Sequence, residues 1–85
     1  MNDLQIQCFL EAAKCLNFSK AAKHLYVSQS NVSRQISSLE EELDLVLFNR
    51  NTKGVRLTAQ GQLLSETLEK MLASWSLVMR YAKTL

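Results

Sequence analysis

Proline is absent from the 85 residues and glycine occurs only twice, at Gly54 and Gly61. Most of the chain therefore lacks the strongest helix breakers, which disfavours an all-β architecture and leaves long stretches free to be helical. Charge of one sign is also scarce: ten Lys and Arg against eight Asp and Glu give a net charge of only +2, so bulk charge announces no partner. Neither a basic, apolar leader nor an apolar run of membrane-spanning length is present in the sequence, and a cytoplasmic setting is expected. The chain is too short for a doubly wound nucleotide fold or a barrel. With 47% hydrophobic and 21% charged residues it has the composition of one small packed domain.

Histidine occurs once and cysteine twice. Cys8 and Cys15 on one helix stand about 10 Å apart along its axis, beyond disulfide reach, and read as small buried apolar residues of a reducing compartment. His24 with these two cysteines matches no zinc-ligand spacing, so no metal and no cofactor are expected. The lone histidine has no catalytic carboxylate partner legible in the sequence, and no Gly-rich phosphate loop occurs. An enzyme is not expected.

Charge is unevenly placed. Residues 12–39 carry Lys14, Lys20, Lys23 and Arg34 without an acid; residues 40–44 carry Glu40, Glu41, Glu42 and Asp44 without a base; residues 45–65 carry Arg50, Lys53 and Arg56, again without an acid. If the fold joins the two basic stretches, a modest net charge still yields one positive face.

Apolar spacing predicts four helices. Ile6, Phe9, Leu10, Ala13 and Leu16 recur at helical intervals between Asp3 and Leu16, with Gln5, Gln7, Glu11 and Lys14 on other positions. Asn17 and Phe18 break this helix, Ser19 is a candidate cap for a second, and Phe18, Ala21, Ala22 and Leu25 form its stripe. Ser28 caps a third helix running to about Leu43, whose core side is Val32, Ile36, Leu39 and Leu43. The other side of that helix is Ser30, Ser33, Arg34 and Ser37. Short hydroxyls are a poor choice for a merely solvated helix, and they let its backbone come close to another surface. Glu40, Glu41 and Glu42 repel phosphate, so the N-terminal half is the half suited to approach DNA.

Two β-type runs, Val46–Arg50 and Val55–Leu57, bracket Asn51-Thr52-Lys53-Gly54 and predict a short hairpin carrying Arg50, Lys53 and Arg56. Thr58 caps a last helix to about Lys83. Along it Leu64, Leu68, Met71, Trp75, Val78 and Ala82 are spaced 4, 3, 4, 3, 4, and Leu72 and Met79 widen the row, which is a coiled-coil seam. A helix of about 25 residues spans about 37 Å, more than the preceding domain covers, so a second copy is the expected partner. Folding back onto the first three helices is the competing arrangement, least suited to the second half.

Two short helices, a polar face on the second, and a basic hairpin make a winged helix-turn-helix. The runs Phe18-Ser19-Lys20-Ala21-Ala22-Lys23-His24-Leu25, Ser28-Gln29-Ser30-Asn31-Val32-Ser33-Arg34-Gln35-Ile36, Leu39-Glu40, Leu47-Phe48-Asn49-Arg50 and Leu57-Thr58-Ala59-Gln60-Gly61 closely resemble the LysR-type transcriptional regulators. This resemblance covers the chain in five ordered blocks. It implies a mainly α fold: a winged helix-turn-helix of three helices plus a hairpin wing over residues 1–58, with its helix-turn-helix at 18–37 and wing at 46–57. A linker and dimerisation helix follows over 59–85, and the family's C-terminal effector-binding domain is absent from these residues. Three positions depart from the family's pattern: Ser30 where Pro is frequent, Asp44 in place of Gly, and Lys53 in place of a frequent wing Arg.

The resemblance also assigns roles. Gln29, Ser30, Ser33 and Arg34 match base-contacting positions in the major groove, with bidentate Arg suited to guanine and Gln to adenine. Arg50 matches a family phosphate contact; beside it, Ser19, Lys20 and Ser28, at helix starts where backbone N–H groups point outward, are expected to touch phosphate, and Lys53 at the wing tip to enter or flank the minor groove, while Arg56 stays on the solvent face. Dimerisation falls to Leu64, Leu68, Met71, Leu72, Trp75, Val78, Met79 and Ala82. The implied function is sequence-specific binding of double-stranded DNA as a homodimer reading an interrupted inverted repeat. Tetramer formation is left open for the full-length protein, and any small-molecule effector acts through the absent domain. A LysR-like head joined to a different sensor, and a winged-helix protein-interaction module that has lost DNA binding, are the alternatives; the acid-free stretches around Arg34 and Arg50 weigh against the latter.

Overall fold

The computed structural model describes all of residues 1–85. Its elements run α1 (Asp3–Cys15), α2 (Phe18–Leu25), α3 (Gln29–Leu43), β1 (Phe48–Asn51), β2 (Gly54–Leu57) and α4 (Ala59–Thr84). The three short helices pack on one another, the antiparallel hairpin closes one side, and α4 leaves the globule as a single long rod. The molecule is accordingly elongated, 52 × 27 × 21 Å.

Each helix starts where a side-chain oxygen replaces a missing backbone partner. Asn2 caps α1 in a reciprocal capping box with Gln5, Ser28 accepts from Asn31 N–H at 3.1 Å, and Thr58 accepts from Gly61 N–H at 3.0 Å. The cap of α2 differs from the sequence expectation. Asn17 accepts from Lys20 N–H at 2.9 Å, so Phe18 already lies in the helix and Ser19 occupies its first turn. Amide and hydroxyl cap equally well, and only the chain's turn decides which of two neighbouring candidates is used.

The first three helices end on left-handed residues that are not glycine: Leu16 (φ 49°), Tyr26 (φ 58°) and Asp44 (φ 55°). At α3 the amide of Leu45 reaches back to Glu40 O at 3.0 Å, and at α2 that of Val27 reaches Ala22 O at 3.0 Å, each closing the open carbonyls of a helix end. Leu16, assigned to the apolar stripe of α1, is 45% exposed because this left-handed turn carries it off the helical path. Gln5, placed among polar positions, is buried instead and donates to Ser38 Oγ at 3.2 Å.

The core gathers Cys8, Phe9, Ala12, Phe18, Ala21, Val32, Ile36, Leu39, Leu47 and Phe48. Phe48, the first residue of the wing, stands edge-on to Phe9 (5.7 Å between centroids) and to Phe18 (5.5 Å), and so ties the hairpin to α1 and α2. Gly54 lies at φ 131° and turns the two-residue loop Thr52–Lys53 between paired Asn51 and Gly54. Gly61 is buried where α4 crosses the base of the wing, with Leu47 O and Leu57 Cδ2 in the space a Cβ would need.

Only the first half of α4 is covered. Gly61, Ser65 and Leu68 are buried, and Lys14 of α1 lies 3.9 Å from Glu69. Leu68, assigned to a dimer seam by its spacing, is 5% exposed within this single chain, and Leu64 is half-buried against the same core. These two residues are therefore used inside the protomer. Spacing alone cannot separate an intramolecular from an intermolecular partner. Beyond them Met71, Leu72, Trp75 and Val78 are exposed.

Candidate nucleic-acid interface

The N-terminal turns of α3, the start of α2 and the wing converge on one shallow depression. Its lining includes Ser19, Gln29, Ser33, Arg50 and Gly54. Two residues assigned to the phosphate set and two of the base-reading set thus come together there. Ser19 Oγ donates to Gln29 Oε1 at 2.8 Å, fixing the side chain that opens the recognition helix. Ser30 is exposed with its hydroxyl 3.2 Å from that of Ser28. Arg34 is exposed and donates only to Asn31 Oδ1, at 3.3 Å on its own helix. Its guanidinium keeps donors for a ligand.

Arg50 is the most heavily engaged residue of the face. Its guanidinium donates to Ser33 Oγ (3.1 Å), Ser37 Oγ (3.5 Å) and Glu40 Oε1 (3.4 Å), and its Cζ lies 4.7 Å over the Phe18 ring. It braces β1 against α3 and α2 at once, a positioning role that the sequence reading as a phosphate partner did not include. Glu40 was read with Glu41 and Glu42 as a repelling acid. It turns inward instead, accepting from Leu47 N–H at 2.7 Å and Phe48 N–H at 3.3 Å with the oxygen that Arg50 leaves free. Half-burial and three donors remove it from the solvent-facing acidic set; Glu41, Glu42 and Asp44 remain, at the far end of α3.

Lys20 and Lys53 are exposed, on α2 and at the wing tip, and Arg56 projects from β2 opposite Asn49. The face is thus a hydroxyl- and amide-lined surface flanked by Lys20, Arg34 and Lys53, suited to phosphate contact at its rim and hydrogen bonding at its centre. The cysteines and the histidine lie outside it. Cys8 is in the core, where burial pushes its thiol pKa up. Cys15, expected to be apolar, is instead half-buried beside Glu11 and His24.

A recognition helix presented beside a basic hairpin, on a three-helix core, defines the class of winged helix-turn-helix DNA-binding proteins. Residues 4–62 match the family described as bacterial regulatory helix-turn-helix protein, lysR family, and the chain belongs to that family. It is a DNA-binding regulator module and not an enzyme. An uncharacterized HTH-type transcriptional regulator of Methanocaldococcus jannaschii is 47% identical over 66 residues, which is 78% of this chain and 22% of the relative. The HTH-type transcriptional regulator HdfR of Escherichia coli is 39% identical over 70 residues, 82% of this chain and 25% of the relative. The chain thus spans about a quarter of the length of the curated relatives it matches. Among solved structures, the BenM DNA-binding domain in complex with catB site 1 DNA superposes with a TM-score of 0.88 at 30% identity, covering 98% of this chain and 93% of that one. Full-length CbnR complexed with its target DNA gives 0.86 at 32% identity, covering 98% of this chain and 29% of that one.

Proposed function

We propose that residues 1–58 are the reading head and residues 59–85 the linker and dimerisation helix of a homodimer that binds an interrupted inverted repeat in double-stranded DNA. In this reading Gln29, Ser30, Ser33 and Arg34 meet base edges in the major groove, Arg34 as the bidentate guanine reader. Ser19, Lys20, Ser28 and Lys53 hold the phosphates, and Arg50 sets the angle between wing and recognition helix as well as facing the backbone. A regulator of chromosomal DNA works in the cytoplasm, and no helix of the protein is long and apolar enough to cross a membrane.

The observation that carries the proposal is the exposed, acid-free N-terminal face of α3 beside Lys20 and Lys53, on a fold shared at 30–32% identity with domains solved on DNA. Dimer formation is supported by the second half of α4, where Met71, Trp75 and Val78 present an apolar row to solvent. Symmetry of such a dimer implies symmetry of its site. The test is selection of bound sequences from a random duplex pool, followed by affinity against salt. An enriched inverted repeat with a steep salt dependence is expected; enrichment of no sequence, or no binding at low salt, overturns the reading.

A further inference from the structure

Away from the reading face, three side chains of metal-ligating type meet at the junction of α1 and α2. Glu11 and Cys15 are four residues apart on α1 and so project from one face of that helix. His24, in the last turn of α2, reaches the same point. Its Nδ1 donates to Glu11 Oε1 at 2.6 Å and lies 3.6 Å from Cys15 Sγ, which is itself 3.7 Å from Glu11 Oε1. One nitrogen, one sulfur and one oxygen thus converge, all within 4.8 Å of one another.

Those separations can be compared with a tetrahedral zinc site. Bonds of about 2.3 Å to sulfur and about 2.0–2.1 Å to nitrogen and oxygen put sulfur about 3.5 Å from either of the others, and nitrogen about 3.3 Å from oxygen. Both sulfur separations already match within about 0.2 Å of that geometry. Only the Glu11–His24 pair is too close, because it is hydrogen-bonded, and it must open by about 0.7 Å to admit an ion. The needed movement is small and at accessible groups: the His24 side chain is 57% exposed and that of Glu11 23%.

We propose that Glu11, Cys15 and His24 form a three-ligand site for a zinc-type divalent cation that clamps α1 to the C-terminal turn of α2, with water as the fourth ligand. The mixed sulfur, nitrogen and oxygen set selects a borderline transition metal over calcium or magnesium, which take oxygen donors. On binding, the Cys15 thiol proton passes to solvent and the Nδ1 proton that His24 donates to Glu11 is lost by exchange with solvent, leaving neutral His24 protonated on Nε2 and its Nδ1 free to ligate. A carboxylate and a thiolate side by side repel; the ion neutralises both. Burial, with the neighbouring Glu11 carboxylate, pushes the Cys15 thiol pKa up, and Lys20 and Lys14 offset this only in part; neither lysine supplies a metal ligand. The clamp precedes the Tyr26–Val27 turn into the recognition helix, so an ion there stiffens the motif without touching the DNA face.

Zinc chloride titrated calorimetrically into the reduced 85-residue protein tests the site, with cobalt(II) as the spectroscopic probe and circular dichroism confirming that each variant is folded. One equivalent is expected to bind, cobalt giving a thiolate charge-transfer band in the near ultraviolet and zinc raising the melting temperature. Cys15→Ser removes the band, and Cys15→Ser, His24→Ala and the milder Glu11→Gln each weaken zinc by more than about tenfold. Cys8→Ala retains both the band and the affinity. Absence of saturable one-to-one binding overturns the proposal, as does full affinity in Cys15→Ser, His24→Ala or Glu11→Gln, or a band that depends on Cys8.

Discussion

Glu40 and Arg50 are paired at 3.4 Å across the junction between the recognition helix and the wing. The pair is asymmetric in what it supports. Arg50 reaches outward to Ser33, Ser37 and the Phe18 ring, while the other oxygen of Glu40 receives the amides of Leu47 and Phe48, both buried residues. The wing is thus held to α3 by backbone hydrogen bonds to a carboxylate as well as by apolar contact.

Glu40→Ala is expected to destabilise the fold by about 1–3 kcal/mol, because amides at the root of the wing lose their acceptor. Arg50→Ala is expected to cost less, about 1 kcal/mol or below, since a partly exposed ion pair is screened by solvent. Urea unfolding of the two variants measures the difference. Equal losses contradict the division of labour between backbone capping and ion pairing.

Asp44→Gly is expected to stabilise the protein by about 1 kcal/mol. Asp44 is held at φ 55° and places a negative charge at the C-terminal end of α3, where the helix dipole disfavours it. For a domain of this size the gain corresponds to about 4–8 °C in melting temperature. A lower melting temperature would show that the aspartate carboxylate does something its surroundings do not reveal.

Gly61→Ala is expected to act in the opposite direction, losing about 1–3 kcal/mol despite alanine's higher helix propensity. A Cβ at this position meets the carbonyl oxygen of Leu47, which is backbone and cannot swing away as a side-chain end can. Thermal melts of this variant beside Asp44→Gly separate the two kinds of glycine site.

Arg34→Ala is expected to lose about 1–3 kcal/mol on the selected DNA site and much less on random duplex, whereas Lys53→Ala weakens both alike and lowers the salt slope by about one. Titrations on both duplexes at several salt concentrations distinguish the roles. Equal losses for Arg34→Ala on specific and random DNA would remove it from base reading.

Trp75→Lys combined with Val78→Lys is expected to yield folded monomers in sedimentation, because both side chains are more than half exposed on the free part of α4. Leu68→Lys is expected instead to unfold the protomer, its position being 5% exposed in the single-chain core. Persistent dimers in the double variant contradict an interface along this row.

The helix boundaries near Ser28, Leu43 and Thr58 and the hairpin turn at Gly54 were legible because each depends on a few neighbouring residues: a capping oxygen, an apolar repeat, or a backbone conformation. The five family blocks carried the winged helix-turn-helix in the same local way. Where two local solutions were nearly equal, as with Asn17 and Ser19 as caps, the choice lay in how the turn packs. Left-handed Leu16 and Tyr26 left no mark in a sequence without glycine there.

Sequence by itself determined the class of the chain and the order of its helices and wing, and it marked out the polar, acid-free face of α3 that is proposed to meet DNA, since periodicity and turn chemistry are short-range properties. Tertiary structure decided what each side chain is used for. It buried Gln5 and Leu68, turned Glu40 away from the repelling acids, made Arg50 a brace and brought Glu11 to Cys15 and His24, because these outcomes depend on contacts between elements that no spacing along one element contains.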